Sequence, residues 1–296
     1  MSKRAWSSLA MLSLLAGCQW IADYDDFSAE PAVAPHRCAH LPLRKSDPAG
    51  VMIRVDVPGG LCVWIDQDEV TVDKYGAWRA DPKAAQPRWD PDFCPWKVSA
   101  SNPAVDPDDA CAEEAEATGT PAFVADRPIR CVDWCDAEAY CRWAGKRLCF
   151  DNSQYGTQIP RNMAREWTFA CNNGETTQYP WGTDYAGNIC NADQSSESTV
   201  AVERGVTNSG WNVDCVNERG ARDLLGNVAE WTYGCNITVP EGNGVRPCLT
   251  KGGSYDDPLM ACVDELTLPN DTRSPQVGFR CCASLTPEEA LLVTPQ

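Results

Sequence analysis

Seventeen cysteines in a chain of 296 residues constrain what it can fold into more than any other feature. Thiols at that density do not persist in a reducing compartment, so the chain belongs where disulfides form and last. Setting Cys18 aside leaves an even number of cysteines, from Cys38 to Cys282, enough for a framework of up to eight bridges. The competing use of so many sulfurs is a zinc or cluster site. Cys131 and Cys135 are separated by three residues and Cys281 and Cys282 are adjacent, so neither pair has the usual CxxC spacing. A disulfide-rich extracytoplasmic domain is the expectation, with each closed loop restraining the unfolded chain by roughly 2–4 kcal/mol.

Cys18 stands apart because of what precedes it. Lys3 and Arg4 are followed by an apolar run from Ala5 to Leu15, and Leu15-Ala16-Gly17-Cys18 then closes small residues on a cysteine. The run is too short to span a bilayer, and no later stretch approaches ~20 apolar residues. The pattern is similar to a bacterial lipobox, in which the cysteine becomes the lipidated first residue of the mature chain; the alternative is an ordinary signal peptide with a chance cysteine. Residues 1–17 are therefore expected to be a signal peptide and Cys18 the lipidation site, placing the protein in the bacterial cell envelope. Gln19 after the cysteine, in place of Asp, favours the outer membrane.

Charge and histidine content narrow the chemistry. The formal net charge is −17, and cleavage would remove Lys3 and Arg4, leaving the chain more acidic still. That argues against nucleic acid and suits calcium binding or simple solubility. Only two histidines occur, His36 and His40, both ahead of the folded region. Ser–His–Asp triads, HExxH zinc sites and two-His-one-carboxylate iron sites are excluded. Chemistry here runs on cysteine, carboxylate, tyrosine or a bound metal.

Along the chain, residues 18–50 read as the lipidated cysteine and a tether, 51–285 as one domain and 286–296 as a C-terminal tail. Leu61-Cys-Val-Trp-Ile-Asp66 alternates like a strand. Glu69 to Tyr75 opens a helix carrying Tyr75 and Trp78, residues 80–128 form a surface insertion pinned by Cys94 and Cys111, and Asp133–Trp143 and Arg165–Cys171 have helical spacing, with Gly145 as a stop. Beyond Cys171 turns dominate. The tryptophans at 134, 143, 167, 181, 211 and 231 are expected in the core, with a sugar- or peptide-stacking platform as the alternative.

Five landmarks then carry a resemblance. They are Glu69-Val-Thr with Tyr75; Val132-Asp-Trp-Cys-Asp-Ala-Glu-Ala-Tyr-Cys-Arg-Trp-Ala-Gly-Lys-Arg-Leu148; Arg165-Glu-Trp167 with Tyr179-Pro-Trp-Gly182; Asp223-Leu-Leu-Gly-Asn-Val-Ala-Glu-Trp-Thr232; and Lys251-Gly-Gly-Ser-Tyr255 with Val277-Gly-Phe-Arg-Cys-Cys282. In type and order they resemble the formylglycine-generating enzyme, or sulfatase-modifying factor, family. The resemblance implies an α+β, C-type-lectin-like fold with little regular secondary structure. The chain departs from the pattern in an insertion over Phe150–Met163, in its added cysteines, and at Asp257.

The family's oxidation of a substrate cysteine to formylglycine uses two cysteines, two and seven residues beyond the aromatic of the GGS turn. Counting from Tyr255, this chain has Asp257 and Cys262. Copper(I) is soft and a carboxylate is a hard ligand, so copper is not expected. The resemblance implies a Cys171–Cys281 disulfide, which leaves Cys282 to pair with Cys262. It places Ser254 near the family's substrate pocket, and residual catalytic roles for Cys262, Asp257 and Ser254 are the alternative. It further implies calcium at Asn227 and Glu230 and, at a second site, at Asn188 and the Ile189 carbonyl, with Asp193, Glu197 or Asp214 downstream; oxygen-rich irregular loops suit that ion. For Asn227 and Glu230 the alternative is bracing of the turn before Trp231. Asp256 and Asp257 read as solvated turn residues or as an acid–base pair.

Three functions remain: a surface-anchored module binding a peptide, glycan or partner protein and lacking the oxidase activity; a family enzyme with altered chemistry; and a formylglycine-generating oxidoreductase with a substitute ligand.

Overall fold

Leu61–Asp66 is the strand its alternation predicts, but Cys62 to Asp66 are all buried because the strand lies inside a sheet. In a computed structural model that describes residues 37–58, 60–85, 89, 94–99, 124–151, 165–187, 189–192, 205–236 and 244–293, the strands are β1 (Arg44–Asp47), β2 (Gly50–Val57), β3 (Leu61–Asp66), β4 (Arg147–Leu148), β5 (Ala229–Cys235), β6 (Pro247–Lys251), β7 (Glu265–Pro269), β8 (Val277–Phe279) and β9 (Cys281–Ala283). They form one sheet of order β1-β2-β3-β9-β4 and a second of order β7-β6-β5-β8. Every pairing is antiparallel except β5 with β8, where Glu230 lies opposite Gly278.

The helices are short and well marked at their starts. Thr71 caps α1 (Val72–Ala80), carrying Tyr75 and Trp78 inward. Asp133 caps α3 (Trp134–Trp143) by accepting from the Asp136 amide at 3.0 Å. The chain leaves α3 through Gly145, whose φ of 73° is open to glycine at no steric cost. The others are α2 (Pro95–Ser99), α4 (Glu166–Cys171) and α5 (Pro287–Val293).

The compact unit runs from Pro35, so it begins earlier than the expected tether boundary at residue 50. β1 pairs with β2, with Arg44 opposite Ile53, and Cys38 is bonded to Cys62. At the other end, the expected tail contains α5, and Glu289 accepts from Lys45 Nζ at 3.0 Å and from Trp64 Nε1 at 3.1 Å.

Two apolar clusters flank β9, and adjacent residues of a strand point to opposite faces. Cys281 joins Tyr75, Trp78, Tyr140 and Phe279; Cys282 joins Ile53, Ile65, Trp167 and Cys171. This geometry corrects both expected disulfides. Cys281 is bonded to Cys141 of α3, and Cys282 to Cys149, just beyond β4. Cys171 lies in the cluster on the Cys282 side, away from Cys281, and takes Cys262. Further bridges join Cys94 to Cys135, Cys190 to Cys215 and Cys235 to Cys248. Cys94 thus pins the 80–128 insertion to α3, whereas Cys18, Cys111 and most of the Phe150–Met163 insertion lie outside the described residues.

Trp134, Trp167 and Trp231 are in the core as expected, together with Trp64 and Trp78. Trp211 and Trp143 are not, being 70% and 37% exposed, and Trp181 is only half-buried.

Candidate functional site

Two of the sequence landmarks meet at the Gly252–Gly253 turn. Gly252 and Gly253 have φ of 88° and 67°, and a Cβ on Gly252 would lie 2.6 Å from the Leu224 carbonyl oxygen. Only glycine allows that approach. Once the backbones are that close they bond: the Gly226 amide donates to the Gly252 carbonyl at 3.0 Å, and the Tyr255 amide to that of Asn227 at 3.0 Å.

The turn places Ser254, Asp257 and Cys262. Ser254 is fully buried and donates from its amide and its Oγ to Asp257 Oδ2, at 2.8 and 2.7 Å. Asp257 is thereby a turn brace, closing the loop on the serine three residues before it. Cys262 is fully buried, bonded to Cys171 at the end of α4, and its amide donates to the Gln178 carbonyl at 3.1 Å. It presents no thiol. The pair Asp257 and Cys262 does not fit copper: one member is a hard carboxylate already accepting two hydrogen bonds, and the sulfur of the other is spent in a disulfide.

Asn227 and Glu230 lie deeper, in a charged network that the sequence reading did not assemble. Asn227, at φ 58°, donates from Nδ2 to both carboxylate oxygens of Glu69, at 3.1 and 3.0 Å. Its Oδ1 accepts from Asn191 Nδ2 at 3.1 Å and from the Thr207 amide at 2.9 Å. Glu230 accepts from Trp167 Nε1 at 2.7 Å and pairs with Arg280 at 2.7 Å, both ionic groups being buried. Arg280 also donates to the carbonyls of Asp66, Gln67, Arg222 and Asp223. The oxygens expected to hold calcium are thus filled by protein donors, and the cation beside Glu230 is a guanidinium. Calcium does not fit this arrangement, because its six to eight oxygens are not free to converge. At the second expected site, Ile189 is half-buried against the core, while Asn188, Asp193 and Glu197 lie outside the described residues and Asp214 is exposed. Among the described residues no group of three or more His, Cys, Asp or Glu side chains is placed to hold a metal ion.

Burial dominates the electrostatics here. It pushes the Glu69 carboxyl well above the usual range, with the nearby charge of Asp223 adding to the effect. Asp223, which accepts from the Gly210 amide, is pushed up to about 7. Glu230 is also raised by burial, against the pull of Arg280. The signal for this network lay in the landmarks themselves: Glu69 opens the first, Asp223 the fourth, and Arg280 sits in the last.

With that geometry in place, comparison with known proteins is decisive for the family. Residues 61–285 match the sulfatase-modifying factor enzyme 1-like domain. The chain belongs to this family. It is similar to the bovine protein named inactive C-alpha-formylglycine-generating enzyme 2, 34% identical over 164 residues, covering 53% of this chain and 50% of that one. It is also similar to bovine formylglycine-generating enzyme, 28% identical over 186 residues, covering 55% and 45%. The chain therefore spans about half the length of these relatives. Among solved structures, PvdO from Pseudomonas aeruginosa superposes with a TM-score of 0.50 at 16% identity, over 82% of this chain and 98% of that one. That likeness supports the expected formylglycine-generating-enzyme fold, built with few and short helices.

Proposed function

We propose that this protein is a lipid-anchored, extracytoplasmic member of the sulfatase-modifying factor family that does not oxidise cysteine to formylglycine and acts as a binding module for a peptide, glycan or partner protein. The observation that carries the reading is the Cys171–Cys262 disulfide. It removes the remaining sulfur from the site where Asp257 already replaces the other. The hydrogen bonds from Ser254 to Asp257 support it further, since they give both residues a structural role. Similarity to a relative named as inactive is compatible with it.

The test is oxygen uptake by the purified protein supplied with copper(I) and a cysteine-containing peptide, with mass spectrometry of the peptide. No uptake and no formylglycine is the expected result. Turnover, with the peptide cysteine converted, would replace the binding role with an enzymatic one. Anchoring is tested separately: Cys18→Ser should move the protein from the membrane fraction to the soluble fraction, and an unchanged distribution would remove the lipid anchor from the proposal.

A further inference from the structure

The chain buries Trp64, Trp78, Trp134, Trp167 and Trp231 completely, yet leaves Trp211 70% and Val213 73% exposed on one short loop. Exposed large apolar side chains occur singly on any protein surface. Two on a loop that is firmly held, beside a cavity, are a different matter. Cys215 at the end of the loop is bonded to Cys190. The Ser209 amide donates to the Asp126 carbonyl at 2.9 Å, and the Trp211 amide to that of Asn208 at 3.0 Å. The Gly210 amide donates to buried Asp223, and the Arg222 guanidinium packs beneath Gly210, where a Cβ would be 2.5 Å from its central carbon. The indole is presented by a backbone already fixed, so little ordering cost remains when something docks on it.

Trp211 borders a cavity of about 460 Å³ between the start of α1 and this loop, with Asp68, Asp73, Asp126 and Lys74 among its walls. Asp68 is matched by Arg222, which donates to it at 2.7 and 2.8 Å. Lys74 carries its ammonium back toward Gly50, where it acts on buried Asp66. Asp73 and Asp126 are exposed. The cavity is thus negative at its rim, with one aromatic face, on a chain of net charge −17. An aromatic face attracts a cation held within about 6 Å of it, and arginine most often takes that role. The same group is drawn by exposed carboxylates.

We infer that the Trp211–Val213 loop and the adjoining cavity form a docking surface for a basic peptide segment, with an arginine side chain stacked on Trp211 and directed at Asp73 and Asp126. This rests on the binding role proposed above and names the chemistry of its ligand.

The test is titration of the mature protein with N-acetyl-arginine methylamide, followed through the Trp211 indole N–H resonance, which the Trp211→Phe variant identifies. A saturable shift is expected. Asp126→Asn and Trp211→Ala should each weaken binding at least about fivefold, read for the second variant by calorimetry, whereas Asp184→Asn on another loop should leave it unchanged. All three are surface positions. Absence of a saturable shift, equal affinity in the Asp126→Asn or Trp211→Ala variants, or equal binding of N-acetyl-glutamate methylamide would overturn the inference. Oxygen uptake reports on the loss of oxidase activity independently, so a failed titration and a failed non-oxidase reading are distinguishable.

Discussion

Arg280 shows how much one side chain holds in this protein. It is buried, pairs with Glu230 and donates to four carbonyls from two separate segments, the end of β3 and the turn at Arg222–Asp223. Removing it leaves the buried Glu230 carboxylate without its cation and takes a donor from each of those carbonyls. Arg280→Ala is therefore expected to lower stability by about 3–5 kcal/mol, the usual cost of breaking a buried pair from one side, measured as the change in urea midpoint and slope. Glu230→Gln leaves the guanidinium buried without its carboxylate and puts an NH2 where an accepting oxygen stood, so it should be destabilising as well. Cys262 makes a second prediction at this scale. Cys262→Ser opens a loop whose ends are 91 residues apart and should cost about 2–4 kcal/mol. In the unsubstituted protein Cys262 should resist alkylation until a reductant is added, and labelling under native, oxidising conditions would contradict the disulfide.

At the scale of elements, α3 is the best-defined helix and owes much of that to its first residues. Asp133 caps it and also takes Lys97 of α2 at 2.6 Å and Arg273 at 2.9 Å. The cap is therefore also the junction between the insertion and the core, reinforced by Cys94–Cys135 one turn away. An ordinary cap is worth about 0.5–2 kcal/mol, but Asp133→Ala would also take one of its two carboxylate partners from the buried Lys97 ammonium, leaving Asp136. A loss above about 2 kcal/mol is expected in chemical denaturation. Thr71→Ala at α1 removes only a 3.5 Å contact and should cost under about 1 kcal/mol. Equal losses at the two caps would show that the ion pairs of Asp133 contribute nothing.

For the whole molecule, the buried carboxylates set an unusual pH dependence. Burial raises Glu69, brings Asp223 up to about 7 and Asp136 up to about 6. A carboxyl with a higher pKa in the folded state binds more protons there than in the unfolded chain, so stability falls as pH rises through that interval. The window runs from the ordinary carboxylate value near ~4 up to about 7. The thermal midpoint is expected to be higher at about pH 5.5 than at about pH 8, opposite to a protein held by carboxylates of depressed pKa. Glu69→Gln and Asp223→Asn should each flatten that slope, and a midpoint that rises steadily from pH 5.5 to 8 would contradict the assignment.

Much of this was legible in the residues. The period of Leu61–Asp66, the helical spacing of Asp133–Trp143 and the stop at Gly145 are local signals, and local sterics and hydrogen bonding realise them whatever the surroundings. The five landmarks pointed to the family, and a match over residues 61–285 bears that out. What only the tertiary structure decided is which groups meet. Cys281 and Cys282 are neighbours in sequence, yet the pleat of β9 turns them into different clusters, so Cys171 bonds to Cys262 instead. Asn227 and Glu230 look like cation ligands until Asn191 and Thr207 fill the oxygen of the first and Arg280, 50 residues away, those of the second. Disulfide pairing and ligand sets are properties of distance in space, and sequence carries that distance only through the packing of the whole chain.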